Sequence, residues 1–199
     1  EQENPRDEPG HNITVIEGTL LYEIVGTSRK KITREFYKKL DYLGVESDDL
    51  NRVSVVECNL LVDQEIASLI NSLQPSYIYN LIGPGSVSES IKFPQESSTA
   101  ITHSFDNLIK GLIDNKNFSP FFQPSSSEMF AYSSDKKLDE NSDFLPLTPY
   151  AESKLYCHNS INLYREKFDW KMSCGILFNH ESEFRPDSYL IMKIINSAF

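Results

Sequence analysis

Two spacings of apolar residues alternate along the chain. Runs of aliphatic, β-branched and aromatic residues predict five β-strands, at Leu20–Thr27, Val53–Cys58, Ser76–Ile82, Phe118–Ser125 and Lys171–Phe178. Apolar residues at the helical period predict helices at Leu61–Leu73, Ile101–Ile113 and Tyr150–Phe168, the last with Pro149 at its start. Strands that alternate with helices predict an α/β fold, with a doubly wound parallel sheet and helices on both faces.

The predicted domain begins after a polar tail. Residues 1–12 (EQENPRDEPGHN) are mostly charged and polar, so we expect them to be solvated. Residues 13–199 then form one domain, a length that suits a single globular unit. Within it, Ile13–Gly18 is the apolar stretch that would supply a strand before Leu20, and no helical pattern follows it.

Charge and composition narrow the class of partner. The chain has 19 basic and 29 acidic residues, and this net charge of −10 disfavours nucleic acid and anionic membranes, because phosphate binding relies on Lys and Arg. No apolar run approaches the ~20 residues of a membrane span, and the acidic N-terminus predicts no signal peptide. Three widely spaced cysteines and four scattered histidines predict a cytoplasmic protein without a metal site.

Polar and small residues follow the predicted strands directly, at the edge where parallel sheets bind their ligands. These segments are Arg29–Lys31, Asn59–Leu60, Gly83–Ser86, Ser125–Glu128 and Asn179–Glu181. Basic residues such as Arg29 and Lys30 bind the 2′-phosphate of a dinucleotide, so they favour NADP over NAD. A short basic run is also common on solvated surfaces, and this alternative stays open.

Tyr150 and Lys154 lie one helical turn apart, so both side chains are expected on one face of a helix. A lysine ammonium beside a phenol is expected to lower the pKa of the phenol and let it act as a base near neutral pH. The spacing recurs at 132/136 and 189/193, but only the pair at 150/154 opens an amphipathic helix after a Ser-rich strand end. Glu128, next to those serines, is either an acid/base candidate or a surface carboxylate.

Four segments in this order resemble a known family. They are Pro75–Val87 (PSYIYNLIGPGSV), Gln123–Phe130 (QPSSSEMF), Ser142–Tyr156 (SDFLPLTPYAESKLY) and Gly175–Ser182 (GILFNHES), and Lys193–Ile194 follows at the family's spacing. From about Leu20 onward, the chain resembles the extended short-chain dehydrogenase/reductases, and among them the GDP-mannose 4,6-dehydratases. The resemblance implies a Rossmann-like fold, NADP as cofactor, GDP-mannose or a related nucleotide sugar as partner, and a homo-oligomer.

The resemblance also implies roles for individual residues. The implied catalytic residues are Ser126, Glu128, Tyr150 and Lys154. The implied cofactor-binding residues are Arg29, Lys30, Asn59, Leu60, Leu81, Ile82, Gly83, Pro84, Gly85, Tyr150, Lys154, His180 and Arg185. The implied substrate-binding residues are Ser86, Ser126, Glu128, Asn179 and Lys193. In the family's internal redox dehydration, Tyr150 would deprotonate the C4 hydroxyl while hydride moves from C4 to NADP and later to C6. Glu128 would abstract the C5 proton while water leaves from C6.

Two parts of that family have no counterpart in this sequence. The chain has only eight glycines and no Gly-x-x-Gly-x-x-Gly loop to hold a pyrophosphate, and it stops at the start of the substrate-binding region. We therefore expect a domain that is incomplete at its N-terminal strand–helix unit, with little dehydratase activity by itself. Two alternatives stay open: a non-catalytic paralogue that serves as a binding or scaffold module, and a sister epimerase or reductase. Glu128 and the Asn-His-Glu-Ser run argue against the sister reaction.

Overall fold

The computed structural model describes residues 15–16, 24–28, 52–83, 87–130, 137–181, 187 and 189–198, so the predicted tail lies outside the described residues. Its strands are β1 Val15–Ile16, β2 Ile24–Ser28, β3 Val53–Glu57, β4 Ile78–Tyr79, β5 Phe121–Ser126 and β6 Met172–Leu177. Its helices are α1 Asp63–Leu73, α2 Val87–Lys92, α3 Pro94–Asp114, α4 Pro149–Phe168 and α5 Leu190–Ala198. The five predicted strands and three predicted helices are confirmed, although β4 has only two residues and α3 has 21.

The strands form a four-stranded sheet in the order β1-β4-β5-β6 and a two-stranded sheet of β2 and β3. The pairs β2-β3, β4-β5 and β5-β6 are parallel, which confirms the predicted Rossmann-like α/β fold. The exception is β1, because Val15 and Ile16 pair antiparallel with Tyr79 and Ile78. β1 also contacts β2. Only residues 17–23 connect these two strands, too few for the crossover that parallel neighbours need.

Helices α1, α3 and α4 pack on one face of the four-stranded sheet and enclose the core. The ring of Phe105 on α3 meets the ring of Phe121 on β5 edge-on, with centroids 6.4 Å apart. The opposite face carries Tyr79 and Phe122, whose rings lie 6.0 Å apart and stay partly exposed. The core side chains are buried and mostly aliphatic or aromatic, and they include Ile66, Ile70, Ile78, Ile101, Leu108, Ile109, Leu112, Cys157, Ile161, Trp170 and Met172.

Helix α4 has a strong start signal in the sequence. The Thr148 hydroxyl accepts a hydrogen bond from the N–H of Ala151 at 3.1 Å, and Pro149 occupies the start of the helix, where its missing N–H costs no hydrogen bond. This cap places Tyr150 in the first turn and Lys154 one turn later. No helix among the described residues is long and apolar enough to span a membrane.

Candidate active site

Ser126, Glu128 and Tyr150 meet at the carboxyl end of β5. The Ser126 hydroxyl accepts a hydrogen bond from the N–H of Glu128 at 3.2 Å, which starts a short 3₁₀ turn. The Ser126 hydroxyl lies near enough to the Tyr150 phenol to lower its pKa, and the charge of Glu128 raises the same pKa. The structure therefore brings a hydroxyl, a phenol and a carboxylate together at the edge of the sheet where the sequence predicts them.

The pKa of Tyr150 is raised above its ordinary value. Burial of the phenol is the largest cause, and Glu128 and Tyr189 raise the pKa further, while the nearby Ser126 hydroxyl lowers it. The Lys154 ammonium lies 5.7 Å from the centre of the Tyr150 ring. The prediction that the phenol has a lowered pKa is therefore wrong for this arrangement, because burial raises the pKa more than the Ser126 hydroxyl lowers it.

Lys154 is buried, with 7% of its surface exposed, between α4 and β5. Its Nζ donates a hydrogen bond to the Pro124 carbonyl at 3.2 Å. Burial lowers the pKa of this lysine, and the nearby Cys157 thiol opposes that shift. The ammonium is thus held against the strand that ends in Ser126, on the same helix as Tyr150.

The predicted cofactor residues after β3 build a tight turn. The N–H of Asn59 donates to the Glu65 carboxylate at 2.7 Å, and the Asn59 side-chain oxygen accepts from the N–H of Leu61 at 3.1 Å. Leu60, between them, is buried. The Asn59 side chain therefore orders the connection from β3 into α1.

The predicted segment after β4 turns sharply at Gly83. Leu81 is exposed and Ile82 is buried. Gly83 has φ +120°, and a Cβ built on it would lie 2.6 Å from the Ile101 side chain. Both the backbone conformation and the close approach to α3 therefore require glycine at this position.

The remaining predicted residues are exposed or lie outside the described residues. Asn179, His180 and Lys193 are exposed, and His180 Nδ1 is 2.9 Å from the Phe178 carbonyl oxygen. The residues that lie outside the described part of the chain are Arg29, Lys30, Pro84, Gly85, Ser86 and Arg185.

Sequence reasoning missed several polar groups around this centre. The phenol of Tyr189, just before α5, acts electrostatically on Tyr150, and its only signal was the third Tyr-x-x-x-Lys spacing. Asn80 and Gln123 are buried amides inside two apolar strand segments, where a polar residue is itself a signal. In the part of the chain that the structure describes, no cluster of three or more His, Cys, Asp or Glu side chains would hold a metal ion.

Solved structures define the class of fold. The chain superposes on the dTDP-glucose 4,6-dehydratase DesIV from Streptomyces venezuelae with a TM-score of 0.75 and 15% identity, over 88% of this chain and 52% of that chain. It superposes on the UDP-Glc/GlcNAc 4-epimerase from Campylobacter jejuni with a TM-score of 0.65 and 18% identity, over 78% and 45% of the two chains. The fold is that of the extended short-chain dehydrogenase/reductases.

Sequence comparison then fixes the family within that class. Residues 18–199 match the family model described as GDP-mannose 4,6 dehydratase, and the chain belongs to this family. A GDP-mannose 4,6-dehydratase from Sinorhizobium fredii is 32% identical over 135 residues, which cover 65% of this chain and 38% of that protein. GDP-mannose 4,6 dehydratase 1 from Arabidopsis thaliana is 27% identical over 179 residues, which cover 87% and 49%. The chain spans about half, or less, of the length of these curated relatives.

Proposed function

We propose that this chain binds NADP(H) and a nucleotide sugar, GDP-mannose or a close relative, at the carboxyl edge of its sheet. There it would take part in the dehydration of the sugar to a 4-keto-6-deoxy product. The observation that carries the proposal is that Ser126, Glu128 and Tyr150 lie together at the carboxyl end of β5, with the buried Lys154 one turn further along the helix of Tyr150. Membership of the GDP-mannose 4,6-dehydratase family supports the choice of reaction.

The described residues fit a dinucleotide. The turn at Gly83, which requires glycine beside Ile101, follows β4 at the carboxyl edge of the sheet. The buried Lys154 supplies an ammonium group for ribose hydroxyls at the edge where α/β sheets bind nucleotides. The turns at Asn59–Leu60 and Leu81–Gly83 would hold the two ends of the cofactor, and Arg29 and Lys30 would hold its 2′-phosphate.

Each group in the centre has a task that its surroundings support. Ser126 would hold a sugar hydroxyl beside Tyr150, and Tyr150 would take the proton from that hydroxyl. Burial keeps the phenol protonated at neutral pH, so an additional positive charge in the cleft is needed before it acts as a base. NADP supplies such a charge and a hydride acceptor when it is bound. Glu128, on the same edge, would take the proton from the carbon next to the new carbonyl group.

Cofactor binding is the first test. We expect titration with NADPH, followed by its fluorescence, to give saturable binding to the 199-residue chain, and Lys154→Met to weaken it. Lys110→Met is the matched control, because Lys110 is exposed on α3 and bonded to Asp63 at 3.0 Å. The double variant Arg29→Ala/Lys30→Ala should weaken NADPH binding and leave NADH binding unchanged. Absence of saturable binding by a folded wild-type chain would refute the proposal.

Turnover is the second test. The chain should be incubated with NADP and GDP-mannose, and mass spectrometry should follow the loss of one water from the sugar nucleotide. Because the chain spans about half of its relatives, we expect slow turnover at most. Any turnover should disappear in Glu128→Gln, which keeps the shape of the side chain but removes its basicity. Turnover that survives this change would exclude Glu128 as the base.

A non-catalytic binding module is the second candidate, and β1 favours it. Strand 1 of a dinucleotide-binding sheet is parallel to its neighbours and leads into the Gly-rich phosphate turn. Here β1, beside β4, is antiparallel and two residues long. A folded chain that binds neither NADPH nor GDP-mannose would favour this candidate over the enzyme.

A further inference from the structure

Strands β4 and β5 separate before β5 ends. The last hydrogen bond of their ladder runs from the N–H of Asn80 to the carbonyl of Phe122 at 2.9 Å. From there to Ser126, β6 is the only described strand that pairs with β5. Alternate residues of a strand direct their backbone groups to the same side, so the Pro124 carbonyl faces the side that β4 has left. A proline is tolerated here because none of the described strands lies on that side to accept a hydrogen bond from an N–H.

Two buried amides lie across this gap. Asn80 Nδ2 donates a hydrogen bond to Gln123 Oε1 at 2.7 Å, and each residue is 1% exposed. Gln123 Nε2 donates to the Pro124 carbonyl at 3.3 Å, and the same carbonyl accepts the hydrogen bond from Lys154 Nζ at 3.2 Å. A continuous chain of hydrogen bonds therefore runs from the end of β4 to the lysine on α4.

The same amide reaches the turn after β4. Asn80 Oδ1 accepts a hydrogen bond from the N–H of Ile82 at 3.4 Å, directly before Gly83. Both ends of the Asn80 side chain are therefore used, one towards the turn and one towards Gln123. Buried amides are costly unless their hydrogen bonds are made, and an apolar pair would fill the gap without that requirement. Such a network fixes one arrangement of its members.

We propose that Asn80 and Gln123 are positioning residues for Lys154: they hold the Pro124 carbonyl where it accepts the hydrogen bond of the lysine ammonium. This proposal rests on the proposed function in one respect: it takes Lys154 to be one of the catalytic residues. Asn80 and Gln123 act through the backbone of β5, and they also tie the placement of the lysine to the turn at Gly83.

The charge state of Lys154 reports on this arrangement. A hydrogen bond to an ammonium stabilises the charged form, so loss of the Pro124 contact should lower the pKa of Lys154 further than burial does. Among the described residues, the titratable groups that contact Lys154 or act on its pKa are the Tyr150 phenol and the Cys157 thiol, both on α4. Strand β5 (FFQPSS) carries no ionisable side chain.

The test uses NMR of the cofactor-free chain with lysine labelled at Cε and Nζ. The Lys154 signal is assigned by its loss in Lys154→Arg. We expect Gln123→Met and Asn80→Leu each to make Lys154 titrate at lower pH than in the wild type. Because both residues act in one chain of hydrogen bonds, the double variant should shift the titration no further than the larger single change.

Asn117→Leu is the matched control. Asn117 is a buried amide that donates to the carbonyl of Pro75 at 3.2 Å, at the opposite end of the same two strands. This change removes a similar hydrogen bond, and we expect Lys154 to titrate at the same pH as in the wild type. An equal shift in the control, or an unchanged titration in folded Gln123→Met and Asn80→Leu, would overturn the proposal.

A measurement on the wild type covers the case in which a variant does not fold. The side-chain amide signals of Asn80 and Gln123 should change with the titration of Lys154, whereas that of Asn117 should not. Side-chain amide signals of Gln123 that stay unchanged while Lys154 titrates would also overturn the proposal. Neither experiment uses NADP(H) or a sugar, so failure of the proposed function leaves the outcome interpretable.

Discussion

Ser125 Oγ and His158 Nδ1 lie 2.9 Å apart and join β5 to α4. Ser125 is buried directly before Ser126, and His158 follows Lys154 by one helical turn. The ring of Phe144 stands against the imidazole, with centroids 5.2 Å apart. Burial lowers the pKa of His158 from 6.5, so the folded protein favours the neutral ring.

This histidine should make stability depend on pH. The pKa of His158 is lower in the folded chain than the ordinary value of 6.5, which we take for the unfolded chain. As the pH falls through 6.5, the unfolded chain therefore binds more protons than the folded chain. The stabilising effect of the neutral ring is therefore full above that value and is lost on acidification. We expect the melting temperature to fall between pH ~7.5 and ~5, and His158→Gln to flatten this part of the profile. His103→Gln, an exposed change on α3, should keep the wild-type slope, and an unchanged slope in His158→Gln would contradict the assignment.

The cap of α4 gives a second prediction. Thr148→Ala removes the hydroxyl that accepts from the N–H of Ala151, and we expect the free energy of unfolding to fall by about 1 kcal/mol. Thr148→Ser keeps the hydroxyl and should cost much less. Urea denaturation followed by circular dichroism measures both changes. Equal losses in the two variants would mean that the methyl group, and not the cap, stabilises the helix.

Local signals explain what could be predicted from the sequence. The Thr148–Pro149 start of α4 and the β-branched run of β3 depend on neighbours in the chain, so both elements appear where expected. β4 is shorter than its apolar run because the ladder stops at Asn80 and the backbone turns at Gly83. The direction of β1 depends on its short connection to β2, which a strand pattern does not specify.

The chemistry of the site depends on residues that are distant in sequence. The pKa of Tyr150 is raised by burial, by Glu128 and by Tyr189, and no spacing within α4 reveals the size of these effects. The amide bridge joins residues 43 positions apart, Asn80 and Gln123, and only the packing of β4 beside β5 brings them into contact. Sequence therefore predicted which residue types gather at the sheet edge, but not the charge state that their burial imposes.

Gly83 gives a third prediction, with two separable causes of strain. Gly83→Ala places a side chain at φ +120° and 2.6 Å from the Ile101 Cγ1 atom, and we expect a loss of about 1–3 kcal/mol in the free energy of unfolding. Adding Ile101→Val should not restore stability, because the backbone conformation stays unfavourable. Gly175→Ala is the comparison, since its new Cβ would meet the Phe122 ring at 2.7 Å without a positive φ. Phe122→Leu should therefore rescue Gly175→Ala, and rescue of Gly83→Ala by Ile101→Val would show that the clash alone matters.

Lys154 gives the last prediction, that a residue assigned to function reduces stability. The pKa of Lys154 is lowered in the folded chain from its ordinary value of 10.5. At a pH below 10.5, the folded state therefore binds this proton less tightly than the unfolded state does. Lys154→Met keeps the length and removes the buried charge, and we expect the free energy of unfolding at pH ~7 to rise by about 1 kcal/mol. The gain should shrink as the pH rises towards 10.5, because the unfolded lysine then loses its charge as well. Lys110→Met, at an exposed position, should show no gain. A loss of stability in Lys154→Met at neutral pH would mean that the hydrogen bond to Pro124 outweighs the cost of burying the ammonium.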